Sequence, residues 1–62
     1  MPKRTEQEEK QVEEVRIFCQ KNHEGMKKMT KVKALDHLKC QFVDVAFDLI
    51  LKGMARWLKG AA

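Results

Sequence analysis

Residues 30–59 read TKVKALDHLKCQFVDVAFDLILKGMARWLK, with no proline and a single internal glycine, Gly53. Thr30 offers a side-chain oxygen to cap a helix, and Gly60 supplies a stop signal just beyond the stretch. One long helix, helix 2, is therefore predicted over about 30–59. On a wheel of about 100° per residue its apolar face widens along its length. Val32, Leu35, Leu38 and Phe42 form one stripe, and from Val43 onward a second stripe joins it. Val43, Phe47, Ile50, Met54 and Trp57 follow the four-three alternation of a heptad seam, with Leu51 and Leu58 alongside. Asp44, Asp48, Lys52 and Arg56 confine the polar surface to one i, i+4 row. Roughly two-thirds of the circumference is then apolar, where a surface helix needs only about 100°.

Working upstream, Thr5 and Glu8 match the T-x-x-E pattern of a capping box, and Glu6, Glu8 and Glu9 suit the positive end of a helix dipole. Val12, Val15, Phe18 and Cys19 recur at spacings of three to four, one narrow stripe. Asn22, His23, Glu24 and Gly25 end this helix 1, with Gly25 suited to the left-handed conformation that closes a helix. Helix 1 is predicted over about 5–22 and a turn over 23–29. The fold expected is an all-α antiparallel hairpin with a short helix 1 and a long helix 2, one helical domain across residues 1–62, with no internal repeat or second domain.

The two helices do not match in length. At about 1.5 Å per residue they span ~27 and ~45 Å, so a hairpin leaves about a third of helix 2 without a neighbour. Leaving Phe47, Ile50, Leu51, Met54, Trp57 and Leu58 wet would forgo ~1.5–3 kcal/mol each, roughly 9–18 in total. That rivals the ~5–15 kcal/mol net stability of a whole domain. The overhang therefore predicts a homodimer in a four-helix arrangement, with Val43, Phe47, Ile50, Leu51, Met54, Trp57 and Leu58 as its core or as anchors for a larger protein target. A break in helix 2 near Lys39–Gln41 would change this, because a third helix could then cover much of the overhang. Ala46, Gly53 and Gly60 recur every seven residues. They would admit a second backbone, or Gly53 is simply tolerated at ~1 kcal/mol.

Composition narrows the function classes. The 62 residues are 44% hydrophobic and 35% charged, which fits a folded chain with a charged surface. The net charge of +4 is unevenly placed: five Lys/Arg stand against six Glu up to Glu24, and eight Lys/Arg against three Asp from Gly25. Cys19 and Cys40 are too few for a disulfide framework, and Met1-Pro2-Lys3-Arg4 leads into glutamates instead of an apolar signal core, so a cytoplasmic location is expected. The chain holds no Ser and no Tyr. It also lacks a Gly-rich phosphate loop, and Cys19 with His23 has no third group to orient a base, so no catalysis is expected.

Three further constellations remain. Lys27, Lys28, Lys31, Lys33 and Lys39 surround the turn and the start of helix 2, and a nucleic-acid-binding helical dimer is the alternative function they support. Against it, no Arg lies in the cluster and no aromatic interleaves it. Cys19, His23, His37 and Cys40 are all the Cys and His residues of the chain, and a hairpin could gather them. Their C-x₃-H and H-x₂-C order is unlike the common zinc spacings, so no metal or other cofactor is assigned. Lys52, Arg56 and Lys59 beside Trp57 resemble a membrane-surface helix, but Asp44 and Asp48 count against membrane contact. The leading expectation is a small protein-binding regulator, adaptor or inhibitor.

Overall fold

The structure, a computed structural model, describes residues 5–61. It is all-helical among those residues, with α1 over Glu6–Lys21, α2 over His23–Lys27, α3 over Lys31–Gln41 and α4 over Phe47–Ala61. The α1 start is as predicted. The Thr5 hydroxyl oxygen accepts from the Glu8 N–H at 3.2 Å, and Glu8 Oε1 accepts from the Thr5 N–H at 3.1 Å. Two N–H groups that the first turn cannot satisfy internally are thereby paired.

The end of α1 differs from expectation. Gly25 does not close it in a left-handed conformation: it lies inside α2, and no positive φ occurs among the described residues. Asn22 closes α1 instead. Its backbone N–H donates to the Phe18 carbonyl at 3.1 Å and its side-chain Nδ2 to the same oxygen at 2.9 Å. The predicted turn 23–29 therefore contains the short helix α2, which buries Met26.

The larger correction concerns helix 2. It is not continuous over 30–59: α3 stops at Gln41, residues 42–46 are non-helical, and α4 begins at Phe47. Phe42, at φ −121° and ψ 63°, leaves the helical region. Phe42-Val43-Asp44-Val45 contains no strong helix former, because β-branched and aromatic side chains lose rotamer freedom in a helix and Asp competes for its backbone. Tertiary energy completes the argument. The break lets α4 fold back along α1, its main packing partner, and buries Leu49, Ile50 and Met54. At ~1.5–3 kcal/mol each, these outweigh a few backbone hydrogen bonds worth ~0.5–1.5 kcal/mol net apiece. Phe42 also anchors the break to α1, its ring meeting Phe18 edge-on at 5.4 Å between centroids.

The core joins all four helices: Val15 and Cys19 from α1, Met26 from α2, Ala34 and Leu38 from α3, and Ile50, Met54 and Trp57 from α4. Gly53 belongs to this close packing. A Cβ at Gly53 would lie 2.5 Å from the Val15 Cβ and 2.8 Å from the Val12 carbonyl oxygen, so the α1–α4 crossing requires a glycine. The backbone that approaches Gly53 is the chain's own. Gly60 has open space where a Cβ would stand, and Ala46 lies in the non-helical segment, so the seven-residue spacing does not act as one interface.

Candidate functional site

The seven residues of the predicted apolar surface divide into two groups. Ile50, Met54 and Trp57 are buried in the chain's own core, and Leu51 is half-buried. They no longer form the overhang that motivated a dimer, because the break at 42–46 brings α1, α2 and α3 over them. Val43, Phe47 and Leu58 stay outside, at 76%, 48% and 50% exposure. Phe47 is partly shielded by Lys39, whose Nζ stands 5.4 Å from the ring centroid.

The five lysines Lys27, Lys28, Lys31, Lys33 and Lys39 are exposed. Lys31 and Lys33 point about 160° apart around α3 at ~100° per residue. Lys27 and Lys31 border a cleft, Lys33 lies with Asp36, His37 and Cys40 at a separate depression of about 250 Å³, and Lys39 covers Phe47. Lys27 and Lys31 are thus the two of the five that border the same opening.

The Cys/His quartet is also dispersed. Cys19 is buried, and burial pushes its thiol up to about 11, whereas Cys40 is exposed. His37 packs against Phe18 at 5.7 Å, and His23 is engaged with Trp57. Among the described residues no group of three or more His, Cys, Asp or Glu side chains is placed to share a metal ion. No helix among them is long and apolar enough to cross a membrane. Lys52, Arg56 and Lys59 do not flank a free apolar face at Trp57, because Leu49, Ile50, Met54 and Trp57 pack inward.

What the fold does build is a cleft of about 460 Å³ where α2, the start of α3 and the last turns of α4 converge. Met26, Met29, Met54, Ala34, Trp57 and Leu58 supply its apolar surface, and His23, Lys27 and Lys31 its polar groups. The Trp57 Nε1–H donates to His23 Nδ1 at 3.2 Å, and the rings meet at 79° with centroids 5.6 Å apart. This bond satisfies the indole's one donor and fixes the ring at the cleft wall. Methionine suits such a wall, since its unbranched thioether chain re-packs around differently shaped apolar guests.

Across the molecule, α4 is latched to α1 by charge. Arg56 Nη2 lies 2.6 Å from Glu9 Oε1 and Nη1 lies 3.1 Å from Glu13 Oε2, while Arg16 Nε meets Glu13 Oε1 at 2.9 Å. Hydrogen bonds from Arg16 and then Arg56 hold the Glu13 carboxyl below its ordinary range. Glu9 and Glu13 raise Arg56 in turn. These contacts are half-exposed, so they fix the orientation of the pair more than its strength.

Of the residues that line the cleft, the sequence pattern marks Met54, Trp57 and Leu58 as apolar surface, but not Met26 and Met29, and it groups His23 with the cysteines. A signal was present: Met26 and Met29 stand three apart in a segment assigned as a turn, where polar residues and glycine are the rule. An apolar i, i+3 pair there marks chain that packs. No protein-family model matches the chain, and neither a curated protein nor a solved structure matches it.

Proposed function

We propose that this protein is a non-catalytic binding module, a small regulator, adaptor or inhibitor, that holds apolar side chains of a partner's helix in the methionine-lined cleft. The observation that carries the reading is the cleft itself. About 460 Å³ stays open beside Met29 and a half-exposed Leu58, with the buried Met26, Met54 and Trp57 behind them. Openings of ~300–1,000 Å³ with apolar walls and a few convergent polar groups are the common form of binding sites. A helix presenting anchors at i, i+3, i+4 and i+7 fits a groove formed between helices. The wider interface expected of such modules would extend over the neighbouring exposed surface, with Trp57 as a rigid wall instead of a free anchor.

The test uses protein with isotope-labelled methionine methyl groups, titrated with an amphipathic helical peptide that carries leucine at those four anchor positions and glutamate elsewhere. Saturable shifts of the Met26, Met29 and Met54 methyl signals are expected, with weaker binding to Leu58→Asn. Unmoved methyl signals, or equal affinity for Leu58→Asn, would overturn the reading.

A further inference from the structure

We infer that the partner helix is acidic on the surface flanking its apolar anchors, and that Lys27 and Lys31 select it. This inference rests on the cleft reading above and adds the chemistry of the occupant. The polar groups on the cleft are Lys27, Lys31 and His23, and no carboxylate lines it. His23 Nδ1 already accepts from Trp57, so the two ammonium groups are the cleft's available charged contacts. Neither lysine takes part in an ion pair among the described residues, where the ion pairs join Arg16 and Arg56 to Glu9 and Glu13.

Local backbone adds the same sign. α3 begins beside the cleft at Lys31; Thr30 caps it through a neutral hydroxyl and its first turn carries no acidic residue, so no negative charge offsets the positive end of its dipole. Glu24 is exposed on α2 without lining the cleft, and Asp36 faces the separate depression with Lys33 and Cys40. A basic helix would meet like charge on entering, while a glutamate-flanked helix would be steered in and held in register. The acidic residues would govern selection and encounter, and the methionines the bulk of the affinity.

Three peptides with identical leucine anchors and glutamate, glutamine or lysine at every other position separate the two claims. The glutamate peptide should bind about tenfold more tightly than the glutamine peptide, the yield of two exposed ion pairs. The lysine peptide should bind most weakly, and added salt should narrow the differences. In the Lys27→Glu/Lys31→Glu variant the order should reverse, with the methionine methyl signals showing that the fold is kept. Equal, saturable binding of all three peptides would overturn the acidic preference and leave the cleft reading standing. If none of the three moves the methionine signals, the cleft reading itself fails and the inference with it. If dodecanoate fills the cleft while all three peptides fail, the occupant is a small amphiphile and the helix assignment is wrong.

Discussion

The two sides of α4 show how one heptad seam can serve two purposes. Toward α1 the helix is sealed: Gly53 lets the backbones approach until no methyl group fits, and Arg56 reaches two carboxylates. Toward α2 and α3 the same helix stays partly open, with Met54 and Trp57 facing Met26 and Met29 across the cleft. The first side leaves no freedom, because close-packed interiors resist changes of even one methylene. The second is walled by the side chain that adapts best to a changing neighbour. Residues four and three apart in the sequence thus divide into a structural joint and the wall of a cleft, according to what the chain folds over them.

The comparison breaks most severely at Ile50. Ile50→Asp places a carboxylate without a partner in the buried core, at a cost of several kcal/mol, and should unfold a chain of this size. Phe47→Asp, one turn earlier and about half exposed, should cost ~1 kcal/mol or less and keep the helical circular dichroism. If Phe47→Asp also unfolds the chain, Phe47 is buried by something other than Lys39, and a second copy becomes the first candidate. Size-exclusion chromatography with light scattering on the wild type would show it, with a monomer as the expected result.

Gly53→Ala sharpens the contrast with a smaller change. Replacing a helical glycine by alanine ordinarily gains ~1 kcal/mol. Here the added methyl meets the Val15 side chain and the Val12 carbonyl, and overpacking of this kind costs ~1–3 kcal/mol. A net loss in denaturant titration is expected. Combining Gly53→Ala with Val15→Ala should relieve the loss only in part, because alanine removes the Val15 Cγ1 at 2.6 Å but keeps the Cβ at 2.5 Å, and the Val12 carbonyl oxygen stays at 2.8 Å. Gly60→Ala, with nothing near its Cβ, should show none of the penalty.

Much of this was legible in the residues, and the parts that were not have physical reasons. The capping box at Thr5, the second cap at Thr30 and the inward stripe of α1 depend on local chemistry, and each stands where the spacing placed it. The break after Gln41 depends on a competition that no local pattern displays. Residues 42–46 are only mildly poor helix formers, and the gain that separates α3 from α4 lies in the contact between α4 and α1. The same competition hid the cleft. Its wall joins Met26 and Met29 to Met54 and Trp57, and their meeting depends on the chain turning back. Of the seam residues, Ile50, Met54 and Trp57 are covered and Val43 and Phe47 are not, and periodicity alone says neither which will be covered nor by which chain.

The smallest effect should come from the latch on the sealed side, and it carries a sign that can be checked. The Glu13 carboxyl is held below its ordinary value by hydrogen bonds from Arg16 and, next, from Arg56. The folded state therefore favours the ionised form more than the unfolded chain does. Its contribution is fully present above the ordinary carboxylate value of 4.5 and is lost as pH falls through the lowered folded value. The melting temperature should fall on acidification below that point, and the Arg16→Gln/Arg56→Gln variant should reduce the part of the fall that Glu13 causes. Added salt should act in the same direction, because all three side chains are substantially exposed to solvent. A variant whose melting temperature follows the wild-type pH profile at low salt would mean that the latch orients α4 without stabilising it, and that the close packing of Gly53 on Val12 and Val15 holds the sealed side alone.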